Sequence, residues 1–411
     1  MPEYLKLKSL ADARKLFWDN LTQLHPVEEE IESRTGLDRV TAVDVCSAEF
    51  LPAFTRSTVD GFAVLASSTH GASEALPVYL NLVGEVPMGM ESNIKIDGEQ
   101  TAVIHTGGML PQGADAVVMM EQTQTTADKV IEILKPVSAG ENIVLKGEDV
   151  KPGDVVIPAG TPIRPAEIGG LLALGITRVK VARKPLVAIL SSGDEVIPPE
   201  NTPAIGQVRD INSDALASLV FESGGLPQVY PIMPDDAEQI AAVISQAYQS
   251  SDLVVVTAGS SASTRDMTAE VLDSLGKPGV LVHGINVKPG KPTILAVADG
   301  KPLIGLPGNP VSALVIAQLI LKPLIHKMVG LTHHRVQPVI NATLAVNLPS
   351  LAGRDDYYPV RLFRRPDHCI ADPIFYKSNL IFSLVRADGL VHIPPDKTGV
   401  PAGETVEVIL F

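Results

Sequence analysis

The chain has 411 residues and a net charge of −14, too long for one ordinary core and too acidic for a general nucleic-acid binder, which needs a basic face. Two widely separated cysteines, Cys46 and Cys369, supply neither a disulfide framework nor a cysteine-rich metal site, and they point to a reducing, cytoplasmic setting. Apolar residues make up 45% but aromatic residues only 4%, with 33 prolines, a mix that favours several turn-rich domains packed with Val, Leu, Ile and Ala.

Residues 9–21 are expected to form an amphipathic helix capped by Ser9, with Leu10, Ala13, Phe17 and Leu21 on one stripe. Pro26 is taken as the start of a second short helix. From Val40 to Lys146 short alternating runs such as Ala116–Met120 and Val130–Leu134 predict a small β-rich domain. Asp154–Gly160 reads as a strand and turn, followed by a helix opened by Pro165 and closed at Gly175.

Between Lys184 and Leu331, buried strands at Leu186–Leu190, Leu253–Val256 and Leu303–Leu306 alternate with helices, the signature of a parallel, doubly wound sheet. One helix, Asp214–Glu222, stops at Gly224-Gly225, and Asn309 is placed to cap another whose first turn holds Pro310. The apolar stretch Ala313–Ile325 is interrupted by Gln318 and Lys322, so no membrane span is expected. Short strands return after Arg335 and run to Phe411, a β-barrel or sandwich.

In an open α/β sheet, ligands collect beyond the carboxyl ends of the strands. Four segments occupy such positions: Ser191-Ser-Gly-Asp-Glu195, Thr257-Ala-Gly-Ser-Ser-Ala-Ser-Thr-Arg-Asp266, Lys288-Pro-Gly-Lys-Pro292 and Gly305-Leu-Pro-Gly-Asn-Pro310. The second offers backbone N–H groups and hydroxyls at a helix start, which suits a phosphate, and a carboxylate at Asp266, which then calls for Mg²⁺ between the two anions. The third places two ammonium groups three positions apart on a proline-stiffened turn. Each alone also reads as ordinary strand-to-helix punctuation or a solvated basic turn; their shared sheet edge is what argues for a site. No Gly-x-Gly-x-x-Gly fingerprint or Walker loop is found, which disfavours a nicotinamide dehydrogenase or P-loop enzyme, and His333-His334 and His368-Cys369 lack metal-ligand spacing.

Six motifs in order carry a family resemblance: Ser57-Thr-Val-Asp-Gly-Phe-Ala63, the run from Thr106 to Val118, Gly147-Glu-Asp149, Ser192-Gly-Asp-Glu195, Lys288-Pro-Gly-Lys-Pro292 and Gly305–Ser312. With them the chain resembles a molybdopterin molybdotransferase of the MoeA type, related to the E domain of gephyrin, along nearly its whole length. The resemblance implies that molybdate is inserted into the dithiolene of adenylylated molybdopterin with release of AMP and with Mg²⁺ assisting. It also implies a homodimer whose cleft joins one subunit's α/β domain to the other's small β domain, with the molybdopterin adenylyltransferase as substrate donor.

Four domains are expected: an elongated linker domain at 1–48 and 147–183, a small β-rich domain at 49–146, a three-layer molybdopterin-binding-type α/β domain at 184–331 and a C-terminal β-barrel at 335–411. Carried over by position, Asp60, Thr106, Glu195, Asp266, Lys288 and Lys291 are catalytic, with Glu195 and Asp266 also holding the metal. Ser192, Gly193, Asp194, Gly259, Ser260, Ser261, Arg265, Pro307, Gly308, Pro310, Asp149 and Asp236 bind substrate. At the phosphate turn this chain is shorter than the family's Gly-Gly-x-Ser-x-Gly pattern, and Arg265 precedes Asp266; either Arg265 and Arg56 take over anion contacts made elsewhere by backbone or lost arginines, or the change is neutral drift at a tolerant turn. The alternatives are a pterin-binding scaffold without metal insertion, a tungstate-using paralogue, and a relative that adenylylates molybdopterin, which the flanking domains disfavour.

Overall fold

A computed structural model describes residues 7–126, 128–258, 262–333 and 338–411, with the side chains at 258 and 262–265 left aside. Ser9 caps the first helix, Leu10–Asp19, by accepting from the backbone N–H of Asp12 at 3.0 Å. Its expected stripe is buried, but in the core of the α/β domain: Leu10, Ala13, Phe17 and Leu21 pack with Val282, Leu295 and Val297. The sheet there leaves one face to be covered, and the N-terminal helix covers part of it.

The helix expected from Pro26 is instead a strand. Glu28–Glu32 pairs antiparallel with Arg178–Ala182, in a register that sets acids against bases. Arg178 meets Glu30 at 2.9 Å and Lys180 meets Glu28 at 3.8 Å. Five residues with four glutamates make a poor strand alone; the cations that offset their repulsion come from a distant stretch of chain. Val45–Cys46 pairs likewise with Val155–Ile157, and the helix Pro165–Ala173 completes this linker around Ile157, Ile163, Leu171, Val179 and Val181.

The small β-rich unit is a six-stranded sheet in the order Ala116–Met119, Gly61–Val64, Gln100–Ile104, Val78–Glu85, Val130–Ile133, Thr123–Thr125. Gly61–Val64 and Ala116–Met119 are buried on both faces, which explains their uninterrupted apolar runs: Phe62 and Val64 point into one cluster while Ala63 points into another. Among the described residues, the hydrogen bonds leaving this unit reach only the linker, as in Leu51 N–H to Val150 O and Gly147 N–H to Pro52 O.

The α/β domain carries a six-stranded sheet ordered Leu226–Val229, Leu186–Ser191, Leu253–Ala258, Lys301–Pro307, Ile294–Ala298, Pro278–His283, with helices on both faces. The sheet is mixed rather than wholly parallel, because Ile294–Ala298 runs antiparallel to both neighbours. The cause is a two-residue hairpin at Asp299-Gly300, whose φ values of 49° and 84° are those of the primed turn that Asp-Gly favours. The helix expected from Asp214 begins two residues earlier, spanning Asn212–Glu222. The run Pro310–Met328 is apolar and long enough to cross a membrane, yet most of it is buried in this core.

The C-terminal unit is a closed five-stranded barrel. Asp355–Arg364 pairs with Cys369–Pro373 and Gly389–Ile393, and Val339–Leu344 with Cys369–Pro373 and Thr405–Leu410; pairing of the latter with Gly389–Ile393 closes the ring. Val287–Lys288 leaves the α/β domain and pairs in parallel with Asp355–Asp356, adding a short strand to the barrel.

Candidate functional site

Register fixes where the chemistry sits. Ser191 lies opposite Thr257 and Ala258 opposite Pro307, so the carboxyl ends of three neighbouring strands are level. Pro278–His283 runs parallel with them across the antiparallel strand, so the turn containing Lys288 and Lys291 emerges at the same edge. Three of the four turns singled out from the sequence therefore line one rim, and the strand that leads into the fourth ends level with them at Ala258.

Within the first turn, Ser192 is 2% exposed and its hydroxyl has no hydrogen-bond partner among the described residues. Gly193 has φ 149°, and a Cβ there would lie 2.8 Å from Glu195 Oε2, so the Glu195 carboxylate folds back over the glycine. Asp194 Oδ1 accepts from the N–H of Asp235 at 3.1 Å. A cleft of about 720 Å³ opens here, lined by Gly193, Asp194, Asp210, Ser213, Asp214 and Tyr230. It is acid-rich, so phosphate oxygens would enter it only with a cation or at the lysine end of the rim.

Lys288 and Lys291 are exposed. The Lys288 ammonium stands 5.5 Å from the centre of the Tyr358 ring of the barrel. The turn is held by Thr293 Oγ1 donating to Gly290 O at 2.6 Å and by Ile285 N–H donating to Lys291 O at 2.9 Å. Gly290 has φ 118°, and a Cβ there would stand 2.3 Å from Ile316 Cγ1; glycine is required on both counts.

At the last turn, Pro307, Gly308 and Pro310 lead into the helix Pro310–Ile316. Asn309 occupies the cap position, but its side chain does not cap: Nδ2 donates to Ser378 Oγ of the barrel at 3.1 Å. Two residues that sequence reasoning passed over brace this turn. Asp210, 7% exposed, accepts from the N–H groups of Asn212 and Ser213 at 3.0 and 3.2 Å and from Ser213 Oγ at 2.6 Å. Asn212 Nδ2 then donates to Gly308 O at 2.8 Å. The available signal was Asp210-Ile-Asn-Ser213, an Asx-type helix start.

Asp266 is exposed on the helix Ala262–Ser274 that follows the central strand. Gly259, Ser260, Ser261 and the side chain of Arg265 lie outside the described residues. Asp236 caps the helix Ala237–Ser250 by accepting from Gln239 N–H at 2.9 Å, a structural task for a residue expected to bind substrate. Asp149 lies at the linker junction, its N–H donating to Leu51 O at 3.1 Å, away from the rim's own elements.

Asp60 and Thr106 meet each other, and among the described residues neither has a hydrogen bond to the α/β rim of its own chain. Thr106 donates to Asp60 Oδ1 through its N–H at 2.8 Å and its hydroxyl at 3.3 Å. The backbone donor above all holds the Asp60 carboxyl below its usual pKa. Among the described residues no three His, Cys, Asp or Glu side chains converge on a metal site. The carboxylates of the rim, exposed at Asp194 and Asp266 and half-buried at Glu195, nevertheless suit Mg²⁺, which takes one or two carboxylates and completes its shell with water and substrate phosphate.

Residues 188–327 match a probable molybdopterin-binding domain, and the segments around them match the MoeA N-terminal region, domains I and II, at 8–175 and the MoeA C-terminal region, domain IV, at 341–411. The fold and rim thus define a protein of molybdenum cofactor biosynthesis built around a molybdopterin-binding α/β domain. A crystal structure of a molybdopterin biosynthesis MoeA protein from Pyrococcus horikoshii is similar at 38% identity and TM-score 0.83, over 98% of this chain and 99% of that one. A molybdopterin molybdenumtransferase of Staphylococcus aureus is 32% identical over 91% of this chain and 89% of its own length. A putative molybdopterin biosynthesis protein of Methanocaldococcus jannaschii is 33% identical over 98% of both. The chain belongs to the MoeA family of molybdopterin molybdenumtransferases.

Proposed function

We propose that this chain transfers molybdate to the dithiolene of adenylylated molybdopterin and releases AMP, in a cytoplasmic homodimer whose sites are shared between subunits. The observation that carries this reading is the rim itself: three of the six family motifs, at Ser192–Glu195, Lys288–Pro292 and Gly305–Ser312, fall on turns that register brings to one sheet edge. Lys288 and Lys291 attract the oxyanion and the nucleotide phosphates. Asn212 and Asp210 fix the Gly308 carbonyl, so that the turn from Pro307 to Pro310 is a rigid wall for the incoming anion.

Glu195 and Asp266, with Asp194 beside them, are the residues that would hold Mg²⁺, which supplies charge neutralisation on the phosphoanhydride when bound. Asp60 and Thr106 come from the partner subunit, a reading supported by the absence of any hydrogen bond or shared core between the small β unit and the α/β rim among the described residues. The chemistry balances. Two thiols and molybdate condense with loss of one oxygen as water, and cleavage of the phosphoanhydride consumes one water. The substrate is then supplied by an enzyme that adenylylates molybdopterin.

The purified chain is to be incubated with adenylylated molybdopterin and Mg²⁺, with or without molybdate. AMP release that needs the oxyanion supports the proposal; ligand retained without AMP release refutes it in favour of a scaffold. Tungstate in competition identifies the working oxyanion.

A further inference from the structure

His105 follows the strand Gln100–Ile104 and lies between two acids, Asp60 just before the strand Gly61–Val64 and Glu85 at the end of Val78–Glu85. Gly61 is in register with Ile104, which sets Asp60 beside His105, and the parallel neighbour Val78–Glu85 ends level with Val103. The imidazole Nε2 stands 2.9 Å from Glu85 Oε1 and Nδ1 stands 3.5 Å from Asp60 Oδ1. The next strand, Ala116–Met119, lies beyond Asp60 and carries no titratable side chain. Thr106 and His105 all approach the same oxygen, Oδ1, and Oδ2 takes part in none of these contacts.

We propose that His105 is a positioning residue for the transferase reaction: as an imidazolium anchored by Glu85, it holds Asp60 Oδ1 so that Oδ2 is presented to the ligand in the partner's cleft. The inference rests on Asp60 serving the reaction as proposed above. The glutamate contact raises the pKa of His105 above its ordinary value, with Asp60 adding to the effect. The brace is therefore complete below the ordinary histidine value and is lost as pH rises through the raised one.

The test uses the full chain in two readouts. In the ring-nitrogen NMR titration, His105 titrates above the ordinary histidine value, and Glu85→Gln lowers its midpoint; an ordinary midpoint unmoved by Glu85→Gln overturns the brace. In the AMP-release assay, kcat/KM of the unmodified protein is expected to fall as pH rises through the raised His105 value; His105→Gln lowers kcat/KM about fivefold, the factor an exposed ion pair can supply, and abolishes that alkaline fall. An unchanged kcat/KM and pH profile in His105→Gln overturns the positioning role. Asp60→Asn separates the two levels: full turnover by that variant refutes Asp60's part in the reaction, and the NMR titration still decides whether the brace exists.

Discussion

Replacing Gly290 by alanine perturbs the lysine turn at its tightest point. The backbone φ of 118° is one that a side chain rarely adopts, and the new methyl would stand 2.3 Å and 2.4 Å from Ile316 Cγ1 and Cδ1. Backbone strain contributes about 1–3 kcal/mol and overpacking of the buried Ile316 about 1–3 kcal/mol, a combined destabilisation of about 2–6 kcal/mol. If the turn relaxes instead by moving Lys288 and Lys291 outward, a displacement near 1 Å costs about 100-fold in kcat/KM. The single tryptophan, Trp18, packs against the α/β core, so its fluorescence in a urea titration reads the stability of that domain. Ile316→Ala in the same background removes the clash and leaves the φ strain, so the two substitutions should be coupled by at least about 1 kcal/mol. A Gly290→Ala protein with unchanged urea midpoint and unchanged turnover would refute the reasoning.

Asn212→Ala removes the bond to Gly308 O and is expected to lower stability by about 1–2 kcal/mol and to raise KM, read from denaturation and AMP-release kinetics. Phe17→Ala empties a fully buried position under the α/β sheet and should cost about 3–5 kcal/mol by urea denaturation followed by circular dichroism. The Arg164 guanidinium, donating through Nε at 3.0 and 2.8 Å, pulls the Glu167 carboxyl down to about 2. Its stabilisation is present above the ordinary carboxylate value and lost as pH falls towards 2. Glu167→Gln should lower the urea midpoint slightly at neutral pH and flatten the acid limb of the stability profile. Chelation by EDTA is expected to stop AMP release, and Mg²⁺ to restore it; turnover that survives chelation argues against the metal.

What was legible in the sequence was local. The stripe Leu10, Ala13, Phe17, Leu21 and its Ser9 cap are set within two or three turns of helix, and the rim turns announce themselves because strands that end in Gly, Ser and Pro cannot continue. Glu28–Glu32 was misread because its stabilising cations, Arg178 and Lys180, are distant in sequence. The antiparallel strand was missed because Asp299-Gly300 is a short signal set between two equally apolar runs. Asp210 and Asn212 gain their roles only when Gly308 is folded against them, and His105 only when two other strands bring their acids alongside it.

The shared site is tested most directly by mixing two inactive variants. Asp60→Asn subunits and Lys288→Ala subunits are unfolded or dissociated together, allowed to re-pair, and assayed for molybdate-dependent AMP release. Random re-pairing makes half the dimers mixed, each with one intact site, so about one quarter of the unmodified activity should return. A mixture as silent as its parents would show that Asp60 and Lys288 serve the same subunit's site and contradict the account.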